Sequence, residues 1–150
     1  MGKHINLDEY ATDSSETTLR RLFYNDKILR FVWLIINNYE PITLPQITKE
    51  FNKMFGTAHT KSFVYQKLSR IEQFELFHKI PISQCTPNGN KIEVDIIKKH
   101  KEWVDSYNHY IVGADKCTYY YITPEGHKWV KEAHEMNKRE REMIKKGEIR

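Results

Sequence analysis

The stretch of residues 43–80 constrains the fold of this chain more than any other. Thr43 and Gln46 have the spacing of a capping box, which marks the start of a helix. Apolar side chains then recur every three or four residues, and Gly56 is the residue type that most often ends a helix. A short turn and a second apolar-periodic segment, residues 61–74, follow. The pattern therefore predicts a helix, a tight turn, a second helix and then a strand.

The second of these helices has an unusual outer face. At about 100° per residue, Val64, Leu68 and Ile71 fall on one side, which predicts an inner face packed against the domain. The opposite side is short, polar and without acid at its centre, whereas a plain solvated face usually carries Glu and Lys. Hydroxyl, amide and guanidinium groups hydrogen-bond base edges and phosphates, but an exposed face that is uncharged by chance fits the same pattern. The residues predicted to contact bases are Ser62, Tyr65, Gln66, Ser69 and Arg70.

Lysines on and beside this helix are candidates for contact with a nucleic-acid backbone. Lysine neutralises a phosphate as a point charge, which positions a protein without distinguishing one base sequence from another. Residues 57–84 hold 4 basic and 2 acidic residues, and residues 122–150 hold 8 and 6, so these two regions carry the net charge of +4. The residues predicted to contact phosphates are Lys61, Lys67 and Lys79.

Two runs of the chain resemble parts of winged helix-turn-helix proteins. VYQKLSRI from residue 64, followed by FELF from residue 74, resembles their recognition helix and first wing strand. YYYITPEG from residue 119 resembles the closing wing strand and the next helix. Over residues 26–135 the chain resembles PadR-like and MarR-like transcription regulators. Glu75 stands where the family usually has glycine, so the residue at which the helix ends is undecided. The resemblance implies a mainly α fold with a small antiparallel β-wing (α+β) and a recognition helix in the major groove of double-stranded DNA.

The segments that precede residues 43–80 are expected to form elements that support the two helices described above. Residues 1–12 lack a clear period and are expected to form a flexible arm. Asp13 and Glu16 have capping-box spacing for a short extra helix. A broadly apolar helix then precedes Pro41, and residues 42–44 are expected to pair with the wing as a short strand.

The segment after the recognition helix allows two interpretations. Residues 76–84 are expected to form a strand, followed by a turn rich in Pro, Asn and Gly. Residues 92–96 alternate between apolar and acidic side chains, which favours a second strand up to about residue 97. Asn90 and Glu93 also have the spacing of a helix cap, so a helix that begins there competes with it. An insertion near residues 98–115 follows, and its basic run KKHK could hold phosphates or lie on a solvated lobe.

The last helix is expected over residues 124–147. Thr123, Pro124 and Glu125 supply a cap, a proline at the first helical position and an early acid. Its apolar stripe fits pairing with the same helix of a second copy, which would make a homodimer; the alternative is packing on the chain's own first helix. The residues predicted at a dimer interface are Trp129, Ala133, Met136 and Met143.

The composition of the chain, and the motifs that it lacks, limit the classes of protein to which it can belong. The 150 residues suit one domain, residues 13–150, and no apolar run approaches the roughly eighteen residues that span a bilayer. The polar N-terminus has no signal-peptide pattern, so the cytoplasm is expected. The two cysteines and scattered histidines show no CxxC or HxxxH spacing, so no metal site is expected. Without a Gly-rich phosphate loop, HExxH or GxSxG motif, we expect no catalytic residues, no cofactor and no enzyme activity.

These patterns together predict a homodimeric, sequence-specific regulator of transcription that binds double-stranded DNA. The alternative is a winged-helix module that binds another protein, since such modules keep the core but lack a basic docking face. The polar and weakly cationic face of the second helix fits both predictions. Binding to random duplex DNA at different salt concentrations would distinguish them.

Overall fold

Helices make up most of the described chain, and one small antiparallel sheet lies among them, so the expected α+β class is confirmed. The structure is a computed structural model that describes residues 7–106 and 113–147, with side chains from Ser15 onward. The helices are α1 (Leu7–Asn25), α2 (Lys27–Tyr39), α3 (Leu44–Phe55), α4 (Lys61–Ser69), α5 (Lys91–Asp105) and α6 (Pro124–Lys145). The strands are β1 (Ile42–Thr43), β2 (Phe77–Pro81) and β3 (Thr118–Ile122).

The sheet joins segments that are distant in sequence. Its strand order is β1-β3-β2, and both neighbours run antiparallel to β3. Ile42 pairs with Tyr120, and Phe77 pairs with Ile122. The short strand expected before α3 is therefore confirmed, although α3 already begins at Leu44.

Helix α2 lies at the centre of the core. Its buried residues come from nearly every turn, as expected for a helix that is apolar on several sides. Phe23 of α1 stacks on Trp129 of α6 with ring centroids 5.4 Å apart, and it meets the edge of Trp33 of α2 at 6.1 Å. Burying each such side chain contributes about 1.5–3 kcal/mol or more, so this aromatic cluster holds α1, α2 and α6 together.

The predicted caps of α3 are confirmed. The Gln46 backbone N–H donates to Thr43 Oγ1 at 3.4 Å, and the Thr43 N–H donates to Gln46 Oε1 at 3.1 Å. Gly56 ends the helix in the left-handed region with φ of 62°, which a residue without Cβ adopts at little cost. Helix α6 also begins as predicted, because Thr123 Oγ1 accepts from the Gly126 N–H at 3.0 Å.

Helix α1 begins at Leu7, so the predicted start at Asp13 is wrong. Residues 7–12 belong to the helix rather than to an arm, and residues 1–6 lie outside the described residues. The stretch from Leu7 to Asn25 contains no glycine or proline, so nothing in it prevents the helix from extending upstream of the expected cap.

The exit from α4 also differs from the prediction. The helix ends at Ser69 instead of residue 74, and a 3-10 turn at Glu72–Phe74 continues the chain. Glu75 follows in the left-handed region with φ of 56°, at the position where the resembled family has glycine. Such a conformation costs roughly 1–2 kcal/mol without glycine. It is held by Thr123, whose hydroxyl donates to the Glu75 carbonyl at 3.0 Å.

The strand expected over residues 92–97 is wrong, because this segment belongs to α5. The competing helix cap is the one that forms: the Glu93 N–H donates to Asn90 Oδ1 at 2.9 Å, and the Asn90 N–H donates to Glu93 Oε2 at 3.0 Å. Five alternating residues fit both periods, and the four-residue step from Ile92 to the buried Ile96 is helical. The expected strand over residues 76–84 is likewise shortened to β2, since residues 82–84 form a 3-10 turn.

None of the helices in the described ranges is both long enough and apolar enough to cross a bilayer.

Candidate nucleic-acid interface

Helix α4 presents the polar face that the sequence predicts. Its first turn is capped by Thr60, whose hydroxyl accepts from the Phe63 N–H at 3.2 Å. Val64 and Leu68 are buried against the core, which fixes the opposite face outward. The outward residues are Ser62, Tyr65, Gln66, Ser69 and Arg70, all of them exposed. The structure therefore brings all five predicted base-contact residues to one accessible surface.

The turn before α4 is built around Asn52, which the sequence patterns did not single out. Its Nδ2 donates to the His59 carbonyl at 2.9 Å, and its Oδ1 accepts from the His59 N–H at 3.0 Å. The His59 ring then stacks on Phe63 with centroids 4.0 Å apart. These contacts join the end of α3 to the residue just before the Thr60 cap, and they so help to position the start of α4. The sequence signal that could have pointed to this role of Asn52 is an amide side chain near the end of an amphipathic helix.

Lys67, predicted to contact phosphate, lies in an internal ion pair instead. Its Nζ is 2.9 Å from Asp26 Oδ2, and its side chain is only 17% exposed. Asp26 is at the same time the cap of α2, because its Oδ1 accepts from the Leu29 N–H at 3.0 Å. The lysine lies off the central polar face, and the carboxylate already neutralises it. This pairing favours a role for Lys67 in the packing of α4 on α2, and its contact with phosphate stays a prediction.

Arg70 keeps most of its binding capacity. It reaches the same Asp26 oxygen through one nitrogen at 3.4 Å, but its side chain is 56% exposed. A guanidinium has five N–H donors, so one long contact leaves several available to another acceptor. Arg70 therefore remains a candidate for contact with base or phosphate.

Lys79 of β2 lies beside α4 but is also paired. Its hydrogen bond with Glu72 raises the pKa of the ammonium, which stays charged at neutral pH. Its Nζ lies 5.8 Å from the centre of the Tyr65 ring, at cation–π distance. The sheet thus places Lys79 next to the outward face of α4, which carries the predicted base-contact residues, while Glu72 reduces the positive charge there.

A groove of about 460 Å3 runs along α4, and we call it the α4 groove. Lys61 and Tyr65 line it from α4, Thr118 and Tyr120 from β3, and Lys116 from the segment between β2 and β3. The remaining lining residues are Thr43, Leu44, Pro45, Trp103, Gly113, Ala114 and Cys117. Lys116 was not among the predicted site residues, because nothing in its local sequence places it near α4.

The basic run at residues 98–101 is divided between the surface and the interior. Lys98 and Lys101 are exposed. Lys99 donates to the Tyr39 carbonyl, and burial lowers the pKa of its ammonium. His100 Nδ1 lies 3.0 Å from the Tyr119 hydroxyl, and burial lowers the pKa of the imidazole. Half of this run therefore anchors α5 and is not free to hold phosphates.

Three of the four residues predicted at a dimer interface are buried within the chain. Trp129, Ala133 and Met136 face the core, and only Met143 of this set is exposed, at 39%. The alternative, packing of α6 on the chain's own helices, is the one observed. The predicted interface is therefore corrected for these three residues, because their surface is already covered. Homodimer formation itself stays a prediction.

A buried arginine fastens α6 to α2. Arg30 is fully buried, and its Nε donates to Asn137 Oδ1 at 2.8 Å. Its Nη1 donates to the Phe23 carbonyl at 2.7 Å, and its Nη2 pairs with Glu140. We call this set of contacts the Arg30 clasp. These contacts give the buried guanidinium hydrogen-bond and ion-pair partners, without which its burial would strongly destabilise the fold.

The described residues contain no group of three or more His, Cys, Asp or Glu side chains arranged to hold a metal ion. Cys85 and Cys117 are both free thiols, and burial raises the pKa of each. A raised pKa keeps a cysteine in its less nucleophilic thiol form. One of the scattered histidines, His109, lies outside the described residues.

No family model, curated protein or solved structure matches this chain. Its function is therefore inferred from the exposed face of α4, the α4 groove and the charges around them.

Proposed function

We propose that the chain is a winged helix-turn-helix protein that binds double-stranded DNA and regulates transcription. The order of elements supports this, since α2, β1, α3, α4, β2 and β3 follow one another as the resemblance implies. The pairing of β1 with β3 and of β3 with β2 supports it as well. In this proposal α4 is the recognition helix, and the segment between β2 and β3 occupies the place of the wing.

The observation that carries the proposal is the outward face of α4. It combines two hydroxyls, an amide and a half-exposed tyrosine, and Lys61 and Arg70 flank it. The major groove of B-DNA, about 12 Å wide, admits one α-helix, and each base pair presents a distinct pattern of donors and acceptors there. Gln66 has the amide geometry that pairs with adenine through two hydrogen bonds. The Ser62 hydroxyl can both accept from and donate to bases or phosphates. The Ser69 hydroxyl donates to the Tyr65 carbonyl at 2.9 Å, so it offers a ligand its acceptor capacity.

Positive charge around this face would position the helix. Lys61 and Arg70 lie at opposite ends of α4, so together they can contact phosphates on both sides of the inserted helix. Lys79 adds a weaker contribution while Glu72 pairs with it. With so few available cations, we expect a modest dependence of affinity on salt concentration, because each phosphate contact releases about one counterion.

A protein-binding module is the second candidate, and one observation favours it. Lys67, Arg70 and Lys79 are each paired with a carboxylate of the same chain, so the face is less cationic than its sequence suggests. A surface of this kind can bind a protein partner through its hydroxyls, amide and aromatic ring.

Salt-dependent binding to duplex DNA distinguishes the two candidates. A labelled random duplex is titrated with the full-length chain at about 50 and 200 mM salt, and anisotropy is measured. The DNA-binding proposal expects weaker binding at the higher salt, and enrichment of one sequence when the chain selects from a randomised duplex pool. No binding at the lower salt and up to about 100 μM chain would support the protein-binding module instead.

We further propose that the protein acts in the cytoplasm as a homodimer on a two-fold symmetric site. Dimers with such helices contact half-sites about 34 Å apart, or one turn of DNA. The exposed Met143 and Ile144 near the end of α6 are the apolar side chains of that helix left for a partner. Sedimentation with and without a symmetric duplex tests this, and one chain per duplex would contradict it.

A further inference from the structure

The α4 groove differs from other surface grooves of the molecule in its charge. Four others each include at least one carboxylate among their lining residues. Among the described residues that line the α4 groove there are two lysines, Lys61 and Lys116, and no Asp or Glu. Among these five grooves, the α4 groove is therefore the one where an anion would meet cations without a carboxylate in the lining.

Both lysines are available to a ligand. Within the described part of the chain neither takes part in an ion pair, unlike Lys67 and Lys79. Lys61 lies in the first turn of α4, where the backbone N–H groups add positive potential. The neighbour of Lys116, Asp115, lines a different groove on the other side of its turn.

The position of Lys116 relative to α4 is set by the sheet. The Lys116 N–H donates to the Gly113 carbonyl at 3.0 Å, which closes the turn that carries it. The next residue, Cys117, accepts from the Ile82 N–H at 2.8 Å, and Thr118 then pairs with Pro81 in the sheet. Because β3 also pairs with β1 at the start of α3, this wall of the groove is joined to the elements that hold α4.

We propose that Lys116 is a phosphate-contacting residue of the DNA site, and that it holds the backbone of one strand in the α4 groove, across from Lys61. This inference rests on the proposed function and extends it to the segment between β2 and β3. A phosphodiester strand fits the groove chemically, because two ammonium groups and the hydroxyls of Tyr65 and Thr118 line it. The strand would run beside α4 while the helix contacts the bases.

The test compares Lys116→Gln with Lys101→Gln in the full-length chain. Both variants remove one positive charge from the stretch between β2 and β3, but Lys101 lines the different groove that Asp115 also lines. With random duplex DNA, Lys116→Gln should lower the slope of log affinity against log salt by about one unit. Lys101→Gln should leave the slope unchanged. Circular dichroism of each variant checks that the fold is retained.

Different failures point to different conclusions. If the wild-type chain binds duplex DNA but Lys116→Gln keeps its slope, this inference is wrong and the proposed function stands. An equal change in Lys101→Gln would show a general charge effect and would also overturn it. If the wild-type chain binds no duplex, or prefers single-stranded DNA of the same length, the proposed duplex-binding function fails together with this inference. A slope lowered by about two units in the Lys61→Gln/Lys116→Gln double variant would support contacts from both walls.

Discussion

Helices α4 and α6 both carry a pattern that suggests a binding surface, but the fold treats the two patterns differently. The apolar stripe of α6 is buried for most of its length against α1 and α2. The polar face of α4 stays exposed while its apolar side packs inward. In a chain of this size, an apolar stripe is therefore weak evidence for a partner until packing within the chain has been counted.

The reason lies in what each surface gains from burial. Removing apolar surface from water contributes about 25 cal/mol per Å2, so the chain covers the α6 stripe with its own side chains. Hydroxyl and amide groups gain little from burial unless a hydrogen-bond partner is available. The face of α4 lacks such partners in the core and so remains accessible to a ligand. Substitutions in the two helices should therefore affect different properties.

The largest effect is expected at the Arg30 clasp. Arg30→Met removes the cation but leaves Asn137, Glu140 and the Phe23 carbonyl without their donor. The free energy of unfolding should fall by about 3–5 kcal/mol, as when one partner of a buried ion pair is removed. Urea denaturation of the full-length chain measures this. As a control, Arg139→Met at an exposed position of α6 should change stability by less than about 0.5 kcal/mol.

Met136 and Met143 separate the buried part of the α6 stripe from its exposed end. Met136→Ala should lower the free energy of unfolding by about 2–5 kcal/mol, since it removes a buried side chain from the core. Met143→Ala should change it by less than about 0.5 kcal/mol, because its side chain already contacts water. Equal effects of the two substitutions in urea denaturation would contradict the difference in burial.

The oligomeric state of the chain can be tested separately, with deletions in α6. A deletion from Ala133 onward would remove Met136, Asn137 and Glu140 and so would unfold the core instead of separating two subunits. A deletion from Arg141 onward retains the clasp and removes Met143 and Ile144. If a dimer depends on these two residues, sedimentation should show a stable monomer.

Lys67 and Lys61 test the division between inner and outer faces of α4. Lys67→Gln breaks the contact with Asp26 and should lower stability by about 1.5–3 kcal/mol, while the salt dependence of DNA binding stays the same. Lys61→Gln should have the opposite pattern, with unchanged stability and a salt slope lower by about one unit. Denaturation and DNA titration of both variants measure the two properties. A reduced salt slope in Lys67→Gln would return that lysine to the interface.

The smallest expected effect is on base recognition. Gln66→Ala should weaken binding to a selected site by about 1–3 kcal/mol and leave binding to random duplex nearly unchanged. Gln84→Ala, at an exposed position beyond β2, is the matched control and should change neither. Anisotropy titrations with the two duplexes give both affinities. Equal weakening on specific and random DNA would show that Gln66 contacts the backbone and not the bases.

Local hydrogen bonds made several elements predictable from the sequence alone. The cap at Thr43, the left-handed Gly56 and the Thr123 cap of α6 each depend on groups within four residues. The inner and outer faces of α4 follow from helical periodicity in the same way. The cap of α5 is equally local, but the five alternating residues that follow it also fit a strand, which is why the strand prediction was wrong.

Contacts between distant residues decided the rest. Lys67 meets Asp26 across 41 positions, and the left-handed Glu75 is held by Thr123 across 48. Arg30 reaches Asn137 across 107 positions. Lys116 lines the same groove as Lys61 because β3, which follows Lys116, pairs with β1 and β2. Such pairs leave no period or spacing in a single sequence, because they depend on how whole helices and strands pack. Periodicity identified the face of α4, and tertiary packing determined which cations are available beside it.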